Sequence, residues 1–222
     1  MSVELICFDM AGTTVNDQGL VLAAFRRTID ELGVAGEEAS AAEAYVVETM
    51  GQSKIEVFTE LFDDRAQIAN DAFERHFVSA ARDVGISEIP GARDTVAGLK
   101  SRGIAVALTT GFSPSTRETL IEILDWSELF SLRVSPADAG RGRPAPDMLL
   151  LCALKMRVSA VQSMMVVGDT SSDMQAGRRA GAGYCIGVLT GTDDAARLLE
   201  SGADEVLDSV RDLARLDILV AQ

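Results

Sequence analysis

The chain is poor in residues that bind zinc or form disulfides. Among its 222 residues it has a single histidine, His76, and three cysteines, Cys7, Cys152 and Cys185. The cysteines lie in apolar surroundings without Cys-x-x-Cys spacing or companion histidines, which argues against a zinc site and against a disulfide framework. We interpret them as buried thiols of a protein in the reducing cytoplasm. His76 falls within a predicted helix, where we expect a structural or exposed role.

Basic residues are scarce as well. Twenty lysines and arginines against 34 aspartates and glutamates give a formal net charge of -14, which argues against nucleic acid and anionic membranes as partners. No apolar run approaches the roughly 20 residues of a membrane span, and the N-terminus lacks a basic stretch followed by an apolar core. We therefore expect a soluble cytoplasmic protein, in which a few local cations must offset the negative background if the substrate is anionic.

What the chain does contain is an alternation of apolar runs and helical patterns. With 47% hydrophobic residues, it can bury one core together with an inserted module. The apolar runs predict strands at 3–8, 104–109, 132–135, 164–168, 183–189 and 205–207. The intervening patterns predict helices at 92–102, 115–124, 146–156, 172–180, 193–201 and 210–216. This alternation predicts an α/β fold with a doubly wound parallel sheet.

Residues 20–85 break the alternation. They contain no convincing strand, and their apolar spacing predicts helices at 20–32, 41–49, 55–61 and 71–84. Turn residues at 16–19 and 89–91 suit two short linkers that let an all-helical insert move over the sheet. We predict a core domain of residues 1–16 and 88–222 and an inserted helical domain of residues 17–87.

Two aspartates follow predicted strands that lie far apart in the chain. Asp9 follows the first predicted strand and Asp169 follows the strand at 164–168, while Thr109 ends a third strand. Ligands of such sheets bind at the carboxyl ends of the strands, so we expect these side chains to converge. Two such carboxylates can hold Mg2+ while one of them attacks phosphorus, which indicates phosphoryl chemistry. The alternative for Asp9 by itself is an aspartate that caps a turn.

Hydrogen-bond donors accompany these carboxylates. Backbone N–H groups near Gly12 and Thr13, and the hydroxyl and N–H groups at Thr109, Thr110 and Gly111, are candidates for a cradle around phosphoryl oxygens. The sequence therefore predicts an anion site beside the metal site.

One arginine and a third aspartate complete the candidate site. Arg143 lies between turn-forming residues just before a predicted helix, where its cation can neutralise a phosphoryl group; the alternative is a solvated surface arginine. Asp173, four residues after Asp169, either orients a metal-bound water or caps the helix at 172–180.

These pieces resemble, in their order along nearly the whole chain, the haloacid dehalogenase superfamily of phosphotransferases. The motifs that carry the resemblance are Asp9-x-x-Gly12-Thr13, Thr109, Arg143-Pro144 and Gly168-Asp169-x-x-x-Asp173. The resemblance implies a Rossmann-like core, an inserted helical cap that closes over the substrate, and an aspartyl-phosphate formed on Asp9. It also implies Mg2+ as cofactor, held by Asp9, the carbonyl of Ala11 and Asp169.

Position 11 departs from most phosphatases of that superfamily, which carry a second aspartate there as the acid for the leaving oxygen. Ala11 in this place resembles the phosphonatase branch, which cleaves the P–C bond of phosphonoacetaldehyde with a cap lysine. The segment Met50-Gly51-Gln52-Ser53-Lys54 is similar to that cap segment, so Lys54 is the candidate Schiff-base lysine and Met50 a residue over the substrate. A carbanion beside phosphorus can leave only if an iminium takes up its electrons, and lysine forms such an iminium. The alternative for Lys54 is a surface lysine at a helix start.

The proton carrier and the class of substrate stay open at this point. Phosphonatases carry a histidine at the position of Val57, for which Glu56 is the candidate replacement. The substrate is then a small phosphonate, or a phosphate ester cleaved by a phosphomonoesterase of phosphoglycolate type with Asp17 or a water as the acid. A non-catalytic protein that binds a phosphorylated metabolite is the hypothesis from a different functional class.

Oligomeric state is open as well. The apolar residues of the first cap helix are either a homodimer face or the cap's own core, and we favour the second; they are Phe25, Ile29 and Leu32.

Overall fold

The computed structural model describes residues 2–220 and contains a parallel sheet of six strands. In spatial order the strands are β5 (Leu132–Val134), β4 (Ala105–Thr109), β1 (Leu5–Asp9), β6 (Met164–Gly168), β7 (Tyr184–Val188) and β8 (Glu205–Leu207). Every pair of neighbours is parallel. The predicted α/β fold class is therefore confirmed, and each predicted strand is present with ends that shift by at most two residues.

Helices cover both faces of this sheet. The helices of the sheet region are α5 (Ala92–Ser101), α6 (Pro114–Ile123), α7 (Pro136–Ala139), α8 (Asp147–Met156), α9 (Ser171–Ala180), α10 (Ala195–Glu200) and α11 (Asp217–Val220). The segment at 210–216, predicted as an α-helix, is a 3-10 helix at Val210–Arg215.

The central strand β1 explains why both faces are covered. All five of its residues are buried, and successive side chains point to opposite faces. Leu5 and Cys7 pack in the core that contains Met148 of α8, whereas Ile6 and Phe8 belong to the core on the other face. A strand that is buried on both faces reads as a continuous apolar run, and such runs are typical of parallel sheets.

Between β1 and β4 the chain forms a helical insert, defined here as Leu20–Asp83. Its helices are α1 (Leu20–Glu31), α2 (Gly36–Glu48), α3 (Lys54–Phe62) and α4 (Ala66–Asp83). Its core is aromatic: the ring of Phe58 lies 6.0 Å from that of Phe25 and 5.6 Å from that of Phe73, centre to centre. The predicted all-helical character of this segment matches the structure, while the domain boundaries at 17 and 87 stay a prediction.

The two segments that connect the insert to the sheet region pair with each other. Strand β2 (Val15–Asn16) and strand β3 (Ser87–Glu88) form an antiparallel ribbon, with Val15 opposite Glu88. The sequence indicates only turn residues near these positions. A strand of two residues is too short to show an alternating pattern, so the ribbon has no sequence signal.

Three side-chain predictions can be compared with the packing. Phe25 and Ile29 are buried in the core of the insert and Leu32 packs against it, so these residues form the insert's own core and not a free face for a second copy. The prediction of a homodimer therefore has no support from them. His76 lies on α4 with its Nε2 2.8 Å from Glu31 Oε2, outside the candidate site.

Cys7, Cys152 and Cys185 are all buried and free, as predicted. Within residues 2–220, none of the helices has the length and apolar character needed to cross a bilayer.

Candidate active site

The strand ends bring three aspartates together, although they lie far apart in the chain. Asp9 is the last residue of β1, Asp169 follows β6 and Asp173 lies in the first turn of α9. Each is at most 5% exposed, and one carboxylate oxygen from each lies within 4.8 Å of the others. The convergence that the sequence predicts for Asp9 and Asp169 is therefore present, with Asp173 as a third member.

Asp169 is held firmly in this cluster. The Thr13 hydroxyl donates to its Oδ1 at 2.9 Å, and the Thr192 N–H donates to its Oδ2 at 2.9 Å. Burial, and next the negative charge of Asp9, raise the pKa of the Asp169 carboxyl to about 7. A buried carboxylate beside another carboxylate is stabilised by a cation between them.

The donor set fits Mg2+. This ion prefers oxygen ligands and binds through one or two carboxylates together with water and substrate oxygens. Ala11 lies beside Asp9 at the wall of the site, where its carbonyl is the third predicted ligand. Gly12 follows with a φ of +89°, and a Cβ on it would lie 2.5 Å from Asp169 Oδ2. Only glycine therefore lets this loop pass so close to the carboxylate.

Arg143 is a buried partner of the aspartates and not a surface residue. It is 2% exposed, and its Nη1 lies 2.6 Å from Asp9 Oδ1 and also pairs with Asp173 Oδ1. The alternative of a solvated surface arginine is therefore wrong. Its Nε has no hydrogen-bond partner among the residues that the structure describes, which leaves one buried donor for a ligand.

Asp173 caps the helix, which is one of the two roles that the sequence left open, while the orientation of a metal-bound water stays a prediction. Its Oδ2 accepts from the Thr170 backbone N–H at 3.1 Å and from the Thr170 hydroxyl at 2.5 Å, and Thr170 is the N-cap of α9 in a capping box. Its other oxygen faces Arg143. The Asp173 carboxylate thus caps α9 with one oxygen and orients the guanidinium of Arg143 with the other.

The predicted phosphate cradle lies close by, but some of its donors are already engaged. The Thr109 hydroxyl donates to the Phe8 carbonyl at 3.3 Å, and Gly12 N–H donates to the Val15 carbonyl at 2.8 Å. The Thr13 hydroxyl is bound to Asp169. Their predicted contact with substrate stays a prediction.

A cavity of about 240 Å³ opens between the strand ends and the helical insert. Its lining includes seven of the residues predicted for the site: Asp9, Ala11, Met50, Lys54, Thr110, Gly111 and Arg143. Gln52, Phe112 and Thr192 also line it and were not predicted. No chemical motif marks these three residues, and only Gln52 has a signal, since it lies in the segment that carries Lys54.

Lys54 enters the cavity from the insert. It is the first residue of α3, its backbone N–H donates to the Gly111 carbonyl at 3.2 Å, and its Nζ lies 5.9 Å from the ring centre of Phe112. Burial of the amine, and next the charge of Arg143, lower the pKa of Lys54 to about 8, although nearby aspartates oppose this shift. An appreciable fraction of the amine is therefore neutral near neutral pH.

The residues around Lys54 correct one prediction. Glu56 does not take the place of a cavity histidine, because its Oε1 accepts the Gly142 backbone N–H at 3.1 Å. It holds the loop that precedes Arg143. Val57 is buried in the core of the insert, so neither residue lines the cavity.

Glycines let the insert approach the sheet region closely. A Cβ on Gly111 would lie 2.3 Å from the Gln52 carbonyl oxygen, and a Cβ on Gly142 would lie 2.4 Å from Ser53 Cβ. Such distances require a backbone or side chain to shift. The position of Lys54 at the cavity therefore requires glycine, which has no side chain, at positions 111 and 142.

We expect Gly111→Ala to lower kcat/KM by about 10²-fold, because displacement of the Lys54 segment by about 1 Å misplaces a reacting group. The measurement is steady-state phosphate release, with thermal unfolding to show that the protein stays folded. Gly98→Ala is the matched control: a Cβ there meets no atom within 4 Å, and it removes a glycine from the middle of α5. Activity of Gly111→Ala within threefold of wild type would show that this close approach is not needed.

The fold and site together define an α/β enzyme with buried carboxylates and a fixed cation at its strand ends. The model of the haloacid dehalogenase-like hydrolase family matches residues 3–181, and the chain belongs to this family. It is a hydrolase, which favours an enzyme over the non-catalytic binding protein.

Individual relatives support the same family. A phosphonoacetaldehyde hydrolase of Bacillus cereus (strain AH187) is 30% identical, and the match covers 99% of this chain and 87% of that protein. A phosphoglycolate phosphatase of Shigella boydii serotype 4 (strain Sb227) is 28% identical, over 94% of this chain and 90% of that protein. The crystal structure of a phosphonoacetaldehyde hydrolase-like protein from Oleispira antarctica superposes with a TM-score of 0.85 at 25% identity, covering 99% of this chain and 94% of that one.

Proposed function

We propose that this hydrolase cleaves the P–C bond of a small phosphonate aldehyde such as phosphonoacetaldehyde. The observation that carries the proposal is the Lys54 amine, with its lowered pKa, in the same cavity as Asp9 and Arg143. Ala11 supports it, because an ester-cleaving enzyme needs an acid near the leaving oxygen and alanine cannot supply one. The B. cereus relative bears the name of this activity.

Lys54 and Asp9 supply the two groups that react with the substrate. The neutral amine of Lys54 adds to the aldehyde carbon, and uptake of one proton from solvent with loss of water leaves an iminium. An Asp9 oxygen then attacks phosphorus, the P–C bond breaks, and its electron pair forms the C=C bond of an enamine on Lys54. Protonation of the enamine carbon and hydrolysis of the resulting iminium release the aldehyde, while water hydrolyses the phosphorylated Asp9.

Charge neutralisation favours the attack. Arg143 is fixed beside Asp9 by two ion pairs and offsets the negative charge that develops around phosphorus. Asp9, Asp169 and the Ala11 carbonyl would hold Mg2+, which when bound supplies further positive charge to the phosphoryl oxygens.

The proposal is tested by trapping the iminium. Borohydride is added to the enzyme with phosphonoacetaldehyde, and the protein is digested and analysed by mass spectrometry. The chain has three lysines, Lys54, Lys100 and Lys155, so the modified peptide identifies the residue. We expect the adduct on the peptide that contains Lys54. An active enzyme without any adduct there would reject the Schiff-base step.

A phosphomonoesterase is the second candidate function. Asp17 lines the cavity and brings a carboxyl group to it, and the S. boydii relative is named a phosphoglycolate phosphatase. A panel of phosphate esters and phosphonoacetaldehyde with Mg2+ separates the two. Faster phosphate release from esters than from phosphonoacetaldehyde would favour this second function.

Metal binding has its own prediction. We expect Mg2+ at about 100 times its Kd to stabilise the protein by about 2.7 kcal/mol, which raises Tm by about 5 °C or more for a domain of this size. Asp169→Asn should abolish most of this shift, because it removes a carboxylate from the cluster, and Asp64→Asn on the exposed surface should keep it. Equal shifts in both variants would place the metal elsewhere.

A further inference from the structure

We propose that Asp17 is the acid–base group that moves protons to and from the substrate bound to Lys54. The inference rests on the proposed function, because it assigns a residue to the iminium steps of that reaction. The titratable side chains among the described lining residues of the cavity are Asp9, Asp17, Lys54 and Arg143.

The other three titratable groups have different roles in the proposed reaction. Asp9 is paired with Arg143 at 2.6 Å and supplies the attacking oxygen. The guanidinium of Arg143 offers hydrogen-bond donors and no acceptor, so it does not serve as a base. Lys54 is the amine that reacts. Asp17 is therefore the remaining group of the cavity that can both accept and donate a proton.

The residues next to Lys54 in the chain do not compete for this role. Glu56 accepts the Gly142 N–H, and Val57 is apolar and buried. Neither lines the cavity. The entry to α1 lines the same cavity as Lys54 and brings the carboxyl group of Asp17 to it.

Asp17 is held in place for such a transfer. Its Oδ2 accepts the Val21 N–H at 3.1 Å and its Oδ1 the Gly19 N–H at 3.4 Å, so the carboxylate is fixed at the start of α1 while it lines the cavity. Its negative charge acts on Lys54, since it raises the pKa of the amine against the effect of burial. The carboxylate and the amine therefore share one small space.

Asp17 carries the protons of the iminium steps. Asp17 takes the proton that the Lys54 nitrogen loses as it bonds to the aldehyde carbon, and gives it to the oxygen, which becomes a hydroxyl. A second proton, taken up from solvent by Asp17, lets that hydroxyl leave as water and forms the iminium. After the P–C bond breaks, Asp17 with another solvent proton protonates the enamine carbon, and the iminium is then hydrolysed.

The test compares three variants by the rate of borohydride-trapped adduct formation under saturating phosphonoacetaldehyde. General acid–base catalysis contributes about 10²–10⁴-fold, so Asp17→Asn and Asp17→Ala should slow adduct formation by about this factor with KM within threefold of wild type. Asn16→Ala is the matched control. It removes the acceptor of the Gln18 N–H in the same turn but does not touch the cavity, and its adduct rate should stay within twofold.

Rescue separates catalysis from a structural role. Formate is small enough to occupy the space left in Asp17→Ala, and we expect it to restore adduct formation at least tenfold, while Asp17→Asn, whose amide fills that space, should not respond. Thermal unfolding checks that both variants are folded. A lost helix cap would not be repaired by formate.

Three results would overturn the inference. The first is a rate of adduct formation in both Asp17 variants that is within threefold of the wild-type rate. The second is a rise in KM in these variants with an unchanged adduct rate, which would make Asp17 a substrate-binding residue. The third is Asp17→Ala that formate does not restore. If the wild-type enzyme itself turns over substrate without any adduct, the proposed function fails first, and this outcome is distinct from a wild-type adduct that the Asp17 variants still form.

Discussion

Replacing Asp9 with asparagine should lower phosphate release by about 10⁴-fold or more, because the amide has no oxygen able to form an acyl phosphate. The fold should survive. Asparagine has nearly the same volume, and it removes one of three carboxylates that lie close together in a buried site. The loss therefore reports the chemistry and not unfolding.

The measurement is phosphate release at saturating substrate, paired with thermal unfolding of both proteins. Asp64→Asn, which makes the same substitution on the exposed surface, is the control and should keep full activity. Asp9→Asn with more than a few per cent of wild-type turnover would remove Asp9 as the nucleophile. An inactive Asp9→Asn whose Tm is well below that of wild type would not separate chemistry from unfolding. Beryllium fluoride, which mimics the acyl phosphate, then tests Asp9 directly, because it should bind wild type and not the variant.

The sheet could be predicted closely from the chain because its strands are buried on both faces. Strand β6 at Met164–Gly168 and strand β8 at Glu205–Leu207 have the predicted bounds. The helices of the insert were harder. Helix α2 begins at Gly36 and α4 at Ala66, each five residues before the predicted start, since their first turns lack the apolar spacing that marks a buried face.

The candidate site was predictable where residue type and chain position suffice. Asp9 and Asp169 follow strands, and the carboxyl ends of parallel strands meet at one edge. The sequence does not show which polar groups near the site already form hydrogen bonds within the protein. The Thr109 hydroxyl donates to Phe8 and Glu56 accepts from Gly142, and both contacts depend on how the loops pack in three dimensions.

The close approach of the insert to the sheet region was also outside sequence reasoning. The sequence indicates Gly111 and Gly142 as donor or turn positions, but their missing side chains matter because Gln52 and Ser53 lie directly against them. Such a contact joins segments about 60 and 90 residues apart in this chain. Neither segment has a periodic pattern that indicates its partner.

Replacing Lys54 should abolish P–C cleavage while it stabilises the protein. Lys54→Met and Lys54→Arg should each lose about 10³-fold or more in phosphonoacetaldehyde turnover and form no borohydride adduct, because neither side chain can form an iminium. In wild type the adduct rate should rise about tenfold per pH unit below the Lys54 pKa of about 8 and level off above it, since only the neutral amine reacts. Lys155→Met, which removes an exposed lysine of α8, should change neither property.

The stability of Lys54→Met tests independently whether burial lowers the pKa of the Lys54 amine. A buried amine whose pKa is lowered from 10.5 to about 8 is less stable when protonated in the folded state than in the unfolded one. Its cost is fully present below pH 8 and falls as the pH rises towards 10.5, so at pH 7 we expect Lys54→Met to gain about 3 kcal/mol in the free energy of unfolding. Denaturant unfolding at pH 7 and pH 10 measures this, and the gain should shrink at the higher pH. If Lys54→Met is no more stable than wild type at pH 7, the Lys54 amine is solvated in the folded protein. Burial would then not lower its pKa, and the proposed explanation of its nucleophilicity would be wrong.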